Sequence, residues 1–239
     1  MAASSRAVVT GGSAGVLALA TWAGDAVAAA ALALAAGVFG FGWPRLIDVP
    51  SKRGTSIVIG LVALAAIASA WWTGDIALLA RVVAGGVSAS FVHQMARRDG
   101  RPRLTETVST TVTGILVVTA GVGWFVAAQA GHLQVVLLGA AALLAASGAT
   151  ALPARGTIAG VAAAAAGGAA GAGVGAVFPE IGPVAGLVLG VVIGVVMALS
   201  HLLFNQFPAA RQRRAALAAA LMPLLTLGAP VLVLGSYLG

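Results

Sequence analysis

The sequence predicts an all-α protein: a polytopic integral membrane helix bundle of about nine transmembrane helices, each about 20 residues long. Three observations predict it. Of 239 residues, 60% are hydrophobic and only 8% are charged, against about 25% charged in soluble domains. The apolar residues come in runs of about 20, the length at which a helix crosses bilayer hydrocarbon. The breaks between runs alternate in kind, small and acidic or neutral, then basic. Backbone in lipid must satisfy its own hydrogen bonds, which leaves helices and closed barrels. Barrel strands are about 10 residues of alternating polarity. These runs are longer and do not alternate, so helices follow.

Taken in order, the expected helices run from about Arg6 to Ala23, Asp25 to Trp43, Thr55 to Trp72 and Asp75 to Met95. They continue from Thr105 to Ala130, Leu133 to Leu152, Thr157 to Phe178, Pro183 to Asn205 and Arg214 to Leu238. Gly24-Asp25 and Gly74-Asp75 mark two starts, where a carboxylate is good N-cap chemistry and suits the helix dipole. Thr55, Thr105 and Thr157 are further N-cap candidates. The first run also has the look of a signal peptide, with Arg6 ahead of it and Ala18-Leu19-Ala20 as a small-residue cleavage pattern. Gly11-Gly12-Ser13 interrupts that run, however. Trp22-Ala-Gly-Asp25 also recurs as Trp72-Thr-Gly-Asp75. The segment is therefore expected to be retained.

Of the 13 basic residues, all but Arg81 fall in the breaks after the even helices or before the first. The positive-inside rule then puts the amino terminus in the cytoplasm, the carboxyl terminus outside, and the chain in the cell membrane. The net charge of +7 is read as topology signal and headgroup contact, not as a nucleic-acid surface. The absence of cysteine excludes disulfides and thiol chemistry.

The whole chain, 1–239, reads as one transmembrane domain. Arg53-Gly-Thr55, Arg103-Leu-Thr105 and Arg155-Gly-Thr157 open three helices alike, which points to repeated hairpins: an internal repeat of 1–104 and 105–213, and a final helix 214–239. An arginine inside marker beside a threonine cap gives the same likeness without duplication. Both readings stand.

The strongest packing signal is glycine at a spacing of four. Gly167, Gly171 and Gly175 lie on the seventh helix, and Gly182, Gly186, Gly190 and Gly194 on the eighth. Residues four apart share a helix face, and a face without side chains lets another backbone approach closely, in the manner of a glycine zipper.

The most polar stretch runs from Gln94 to Thr107. Its Arg97, Arg98, Arg101 and Arg103 suit a phosphate or an anionic lipid headgroup, although such clusters also serve as plain inside markers. His93 and His201 end equivalent helices on the same side, and the spacing leaves open that they face each other. With Asp99 and Glu106 they are the candidates for acid–base work on a lipid phosphate. Local spacings of a metal site are missing, and no cofactor or metal is expected. Thr107, Thr110, Thr111 and Gly114 form a hydroxyl stripe that either bonds neighbouring helices or lines a polar path. Arg81, inside the fourth helix, is a functional hypothesis by its position; against that, its stem is long enough to snorkel toward the outer acids.

Phe91-Val-His-Gln-Met-Ala-Arg-Arg-Asp-Gly-Arg-Pro-Arg-Leu-Thr-Glu-Thr107, preceded by Phe41-Gly-Trp-Pro-Arg45, resembles a group of alanine-rich multi-pass membrane proteins of high-GC Gram-positive bacteria. That resemblance implies location and topology, and no activity. The aspartate-rich motifs of nine-helix prenyltransferases and the signature of phosphatidate cytidylyltransferases are missing. The leading expectation is a transporter-like or lipid-handling protein with membrane lipids, anionic at the cytoplasmic face, as partners. An enzyme acting on a lipid phosphate and a structural subunit, as a homo-oligomer or with a membrane-complex partner, are the other classes.

Overall fold

The structure, a computed structural model, describes residues 1–74, 76–152 and 156–238. Its elements are α1 (Ala3–Ala23), α2 (Asp25–Leu46), α3 (Lys52–Thr73), α4 (Ile76–Ala96), α5 (Leu104–Gln129), α6 (Leu133–Ala151), α7 (Gly156–Val177), α8 (Gly182–Asn205), α9 (Arg213–Thr226) and α10 (Gly228–Leu238), with one 3-10 turn at Pro208–Arg211. No strand occurs among the described residues. Seven stretches are long and apolar enough to cross a membrane: α2, α3, α5, α6, α7, α8, and Arg213–Tyr237 across α9 and α10. The 21-residue α1 and α4 contain Arg6 and Arg81 and are not among the seven. Large apolar side chains such as Trp22, Leu34, Trp72 and Val184 stand exposed on the bundle surface, as suits a lipid solvent.

Helix α5 is the centre of the bundle. Ile115, Val122, Trp124 and Phe125 on it are almost completely buried, and it packs on α2, α3, α4, α9 and α10. Two indoles tie it to its neighbours. Trp43 Nε1 donates to the Thr110 carbonyl at 2.9 Å, and Trp124 Nε1 donates to the Leu224 carbonyl at 2.8 Å.

The expected ninth helix is broken at Leu227 into α9 and α10. Pro230 lacks the N–H that would reach the Thr226 carbonyl. The Leu224 carbonyl takes the Trp124 indole, and Gly228 lies directly on the main chain of Ala120 and Gly121. The expected caps also differ. Gly24, at φ 125°, caps α2, so Asp25 is its first helical residue; no side-chain cap bond forms there. Thr55 lies within α3, fully buried, where its hydroxyl lies 3.3 Å from Thr111 Oγ1. Arg103 is the N-cap of α5, in the left-handed region. Asp75 and Arg155 lie outside the described residues.

α7 and α8 form the most extensive helix pair. A methyl group added at Gly167, Gly171, Gly186, Gly190 or Gly194 would run into the facing main chain. Gly182 does not belong to that face: at φ 73° it makes the turn into α8, and its carbonyl receives Gly175.

The loops sort to two ends. At one, Arg6 of α1 bonds Asn205 of α8, and Arg103 reaches the Asp48 carbonyl. At the other, Gln134 donates to Glu180 at 2.8 Å, and Gly235 packs on the His132 ring.

Candidate functional site: the basic end and its groove

The basic end is where charge collects, but not as one constellation. Arg97 closes on its own loop. It gives two bonds to Asp99, at 3.1 and 2.6 Å, and one to Gln94 Oε1 at 2.8 Å. Arg101 turns back to the carbonyls of Arg97 and Met95, at 3.3 and 2.9 Å. Arg103 pairs with Glu106 and holds the Asp48 carbonyl. Arg98 is exposed and, with Arg97, lines a shallow pocket of about 710 Å³ against Ser51 to Gly54 at the start of α3. The Asp99 carboxyl is held below the usual carboxylate range, first by its hydrogen bond from Arg97. Gln94 is buried, and its Nε2 lacks a partner among the described residues.

The two histidines do not meet. His93 lies 2.9 Å from Ser51 Oγ, with its ring seated on Gly54. His201 lines a crevice of about 20 Å³ with Arg6, Thr10, Ser200 and Phe204. Their equivalence along the sequence does not become proximity, because α4 packs on α3 and α5 while α8 packs on α6 and α7. Asp99, Glu106 and His93 therefore serve three different partners, His201 lines a separate crevice, and the four form no acid–base pair. No group of three or more metal-ligating side chains occurs among the described residues.

The hydroxyl stripe of α5 is a packing seam. Thr107 Oγ1 donates to the Arg103 carbonyl at 2.9 Å and Thr111 Oγ1 to the Thr107 carbonyl at 2.7 Å. A Cβ at Gly114 would strike Ile59 of α3. Arg81 is exposed on α4, its Nε donating to the Ala77 carbonyl at 3.4 Å.

A larger basic pocket, about 850 Å³, which no sequence motif marks, forms where the end of α2 meets the start of α9. Arg45, Lys52, Arg213 and Arg214 line it, with Asp48 as the acid. Lys52 Nζ sits 2.6 Å from Asp48 Oδ1, and that bond is the first cause holding the Asp48 carboxyl below its usual range. Arg45 and Arg214 converge on one ring. The Arg45 guanidinium lies 3.8 Å and that of Arg214 5.1 Å from the Phe41 centroid, a cation–π geometry, and Arg45 Nη1 also donates to the Phe41 carbonyl. The approach depends on Gly42, where a Cβ would collide with the Arg214 carbonyl and lie 2.8 Å from Ala218 Cβ. Arg45 and Arg214 were both visible as basic markers, but no local signal joins them.

An apolar groove of about 220 Å³ lies farther along the same helix pair. It is walled by Leu17 of α1, Ala31, Ala35 and Val38 of α2, and Leu221 and Leu224 of α9. Thr10 Oγ1 pins α1 to α9 below it through the Ala220 carbonyl at 2.6 Å.

The fold and this end define an all-helical bundle of membrane-spanning dimensions with a cationic rim. Compared with protein-family models, curated proteins and solved structures, the chain matches none of them.

Proposed function

We propose that this chain is a lipid-handling protein of the cell membrane, transporter-like in build, that works at its basic end on an anionic ligand. The observation that carries the reading is the pocket of about 850 Å³ in which Arg45, Lys52, Arg213 and Arg214 stand against the single carboxylate of Asp48. Three cations in excess make a poor resting place for water alone and a good one for phosphate, which guanidinium meets bidentately. By the positive-inside rule that end faces the cytoplasm, where anionic headgroups add attraction.

Two measurements test it. Cysteines at Arg211 and Glu180, in a chain with none of its own, are labelled in intact cells with an impermeant thiol reagent. The Glu180 variant should react and the Arg211 variant should not; the opposite pattern reverses the orientation. In nanodiscs of mixed phosphatidylglycerol and phosphatidylcholine, native mass spectrometry should show phosphatidylglycerol retained by the parent and lost from the Arg45→Gln/Arg214→Gln variant. Equal retention by both would remove the basic pocket from the reading.

A further inference from the structure

We infer that the basic pocket and the apolar groove are two halves of one site, which seats a single anionic diacyl phospholipid, its phosphate at Arg45 and Arg214 and one acyl chain between α1, α2 and α9. The inference rests on the functional reading above and adds the tail.

Ala31, Ala35, Val38, Phe41 and Arg45 follow one another at spacings of three or four, so they share one face of α2. Arg214, Ala218, Leu221 and Leu224 do the same on α9. The α9 face is closed between groove and pocket, where Ala218 is fully buried against Gly42, so the open route from groove to pocket runs along α2 and over Phe41. From Val38 to Arg45, and from Leu221 to Arg214, the rise is about 10 Å at 1.5 Å per residue. The hydrocarbon core is about 30 Å of a bilayer about 40–45 Å thick, so each headgroup layer is about 5–7.5 Å deep. A phosphate at the guanidiniums thus puts the first acyl carbons at the mouth of the groove. Between the halves lies Phe41, about half exposed, with a guanidinium over its ring. Its apolar body can face the glycerol region while the guanidinium N–H groups that the Phe41 carbonyl does not take remain for the phosphate.

The two ends are complementary in kind. The groove offers almost no polar surface, its one hydroxyl residue being Ser13, so it suits hydrocarbon and rejects a soluble anion. The pocket offers cations. An amphiphile with a phosphate and a chain satisfies both, whereas a free phosphate uses only the pocket and a neutral lipid only the groove.

The test fills the groove without touching the pocket. Ala31 and Ala35 are half-buried at the groove wall, and Ala31→Leu and Ala35→Leu narrow it. Ala89→Leu, on the exposed face of α4, adds the same bulk to the surface elsewhere. After delipidation, each purified variant is titrated with dioleoyl phosphatidylglycerol and followed by native mass spectrometry, with folding checked by helical circular dichroism. The parent and Ala89→Leu should retain one copy, and Ala31→Leu and Ala35→Leu should bind at least ten-fold more weakly. Glycerol phosphate without acyl chains should bind the parent and the groove variants alike. If the groove variants retain phosphatidylglycerol as the parent does while Arg45→Gln/Arg214→Gln loses it, the tail assignment is overturned and the basic pocket survives. If neither set of variants changes retention, both readings fall.

Discussion

The Arg103 guanidinium donates through Nη1 to the main-chain carbonyl of Asp48, 2.9 Å away, and so ties together two residues held at positive φ, 52° and 57°. Left-handed backbone is uncommon outside glycine. Here the link joins the α2–α3 connection to the first turn of α5, and the Glu106 carboxylate fixes the guanidinium from the other side. A lysine cannot make both contacts, because it lacks the fork. Arg103→Lys should therefore loosen the Asp48 loop, and hydrogen exchange of the amides from 47 to 49 should speed up while α5 keeps its protection. Unchanged exchange in that loop would mean the tie has no consequence in solution.

The acid limb of the same loop has a definite sign. The carboxyl of Asp48 titrates below its usual range because Lys52 bonds its charged form. Its contribution to loop order is complete above the ordinary aspartate pKa of about 4 and is lost as pH falls through the lower folded value. Loop exchange, corrected for the intrinsic rate, should be flat from pH 7 to 5 and rise below 4. Asp48→Asn should show the open-loop rate throughout and no acid step.

Glycines two positions apart on α7 should behave oppositely. Gly171→Ala drives a methyl into the Gly186 carbonyl, whereas Gly173→Ala meets nothing within 4 Å. The first should lose about 1–3 kcal/mol by overpacking. The second should gain up to about 1 kcal/mol from helix propensity. Thermal unfolding in detergent compares them directly, and equal stability would sink the account of α7 against α8.

Trp124 offers a cleaner probe of the α9–α10 break. Its ring is fully buried, and its indole N–H serves the Leu224 carbonyl. Trp124→Phe keeps an aromatic core and deletes the donor, at a cost of about 1–2 kcal/mol in membrane-like surroundings. Infrared spectroscopy with a labelled Leu224 carbonyl should show its amide band shift to higher frequency. A band that stays in place would mean another donor serves that carbonyl.

The sequence by itself determined the helical class and, to within a few residues, most helix bounds, although seven stretches and not nine are long and apolar enough to cross a membrane. Apolar runs of spanning length leave the backbone no partner but itself, and the arginine and glycine breaks then mark the ends. It also determined which faces of α7 and α8 are bare, since a period of four places Gly167 with Gly171 and Gly186 with Gly190 on single faces. Tertiary structure alone decided who meets whom. His93 went to Ser51 and His201 to the Arg6 crevice. The Arg97 cluster, the loudest motif in the sequence, largely satisfied itself. Arg45 and Arg214, quiet in the sequence, came together over Phe41 because Gly42 lets α2 touch α9. Spans are set by local hydrophobicity, residue by residue. Partners between helices are set by the fit of non-local surfaces, and a lipid-facing helix of alanine and leucine carries no local mark of which neighbour it will find.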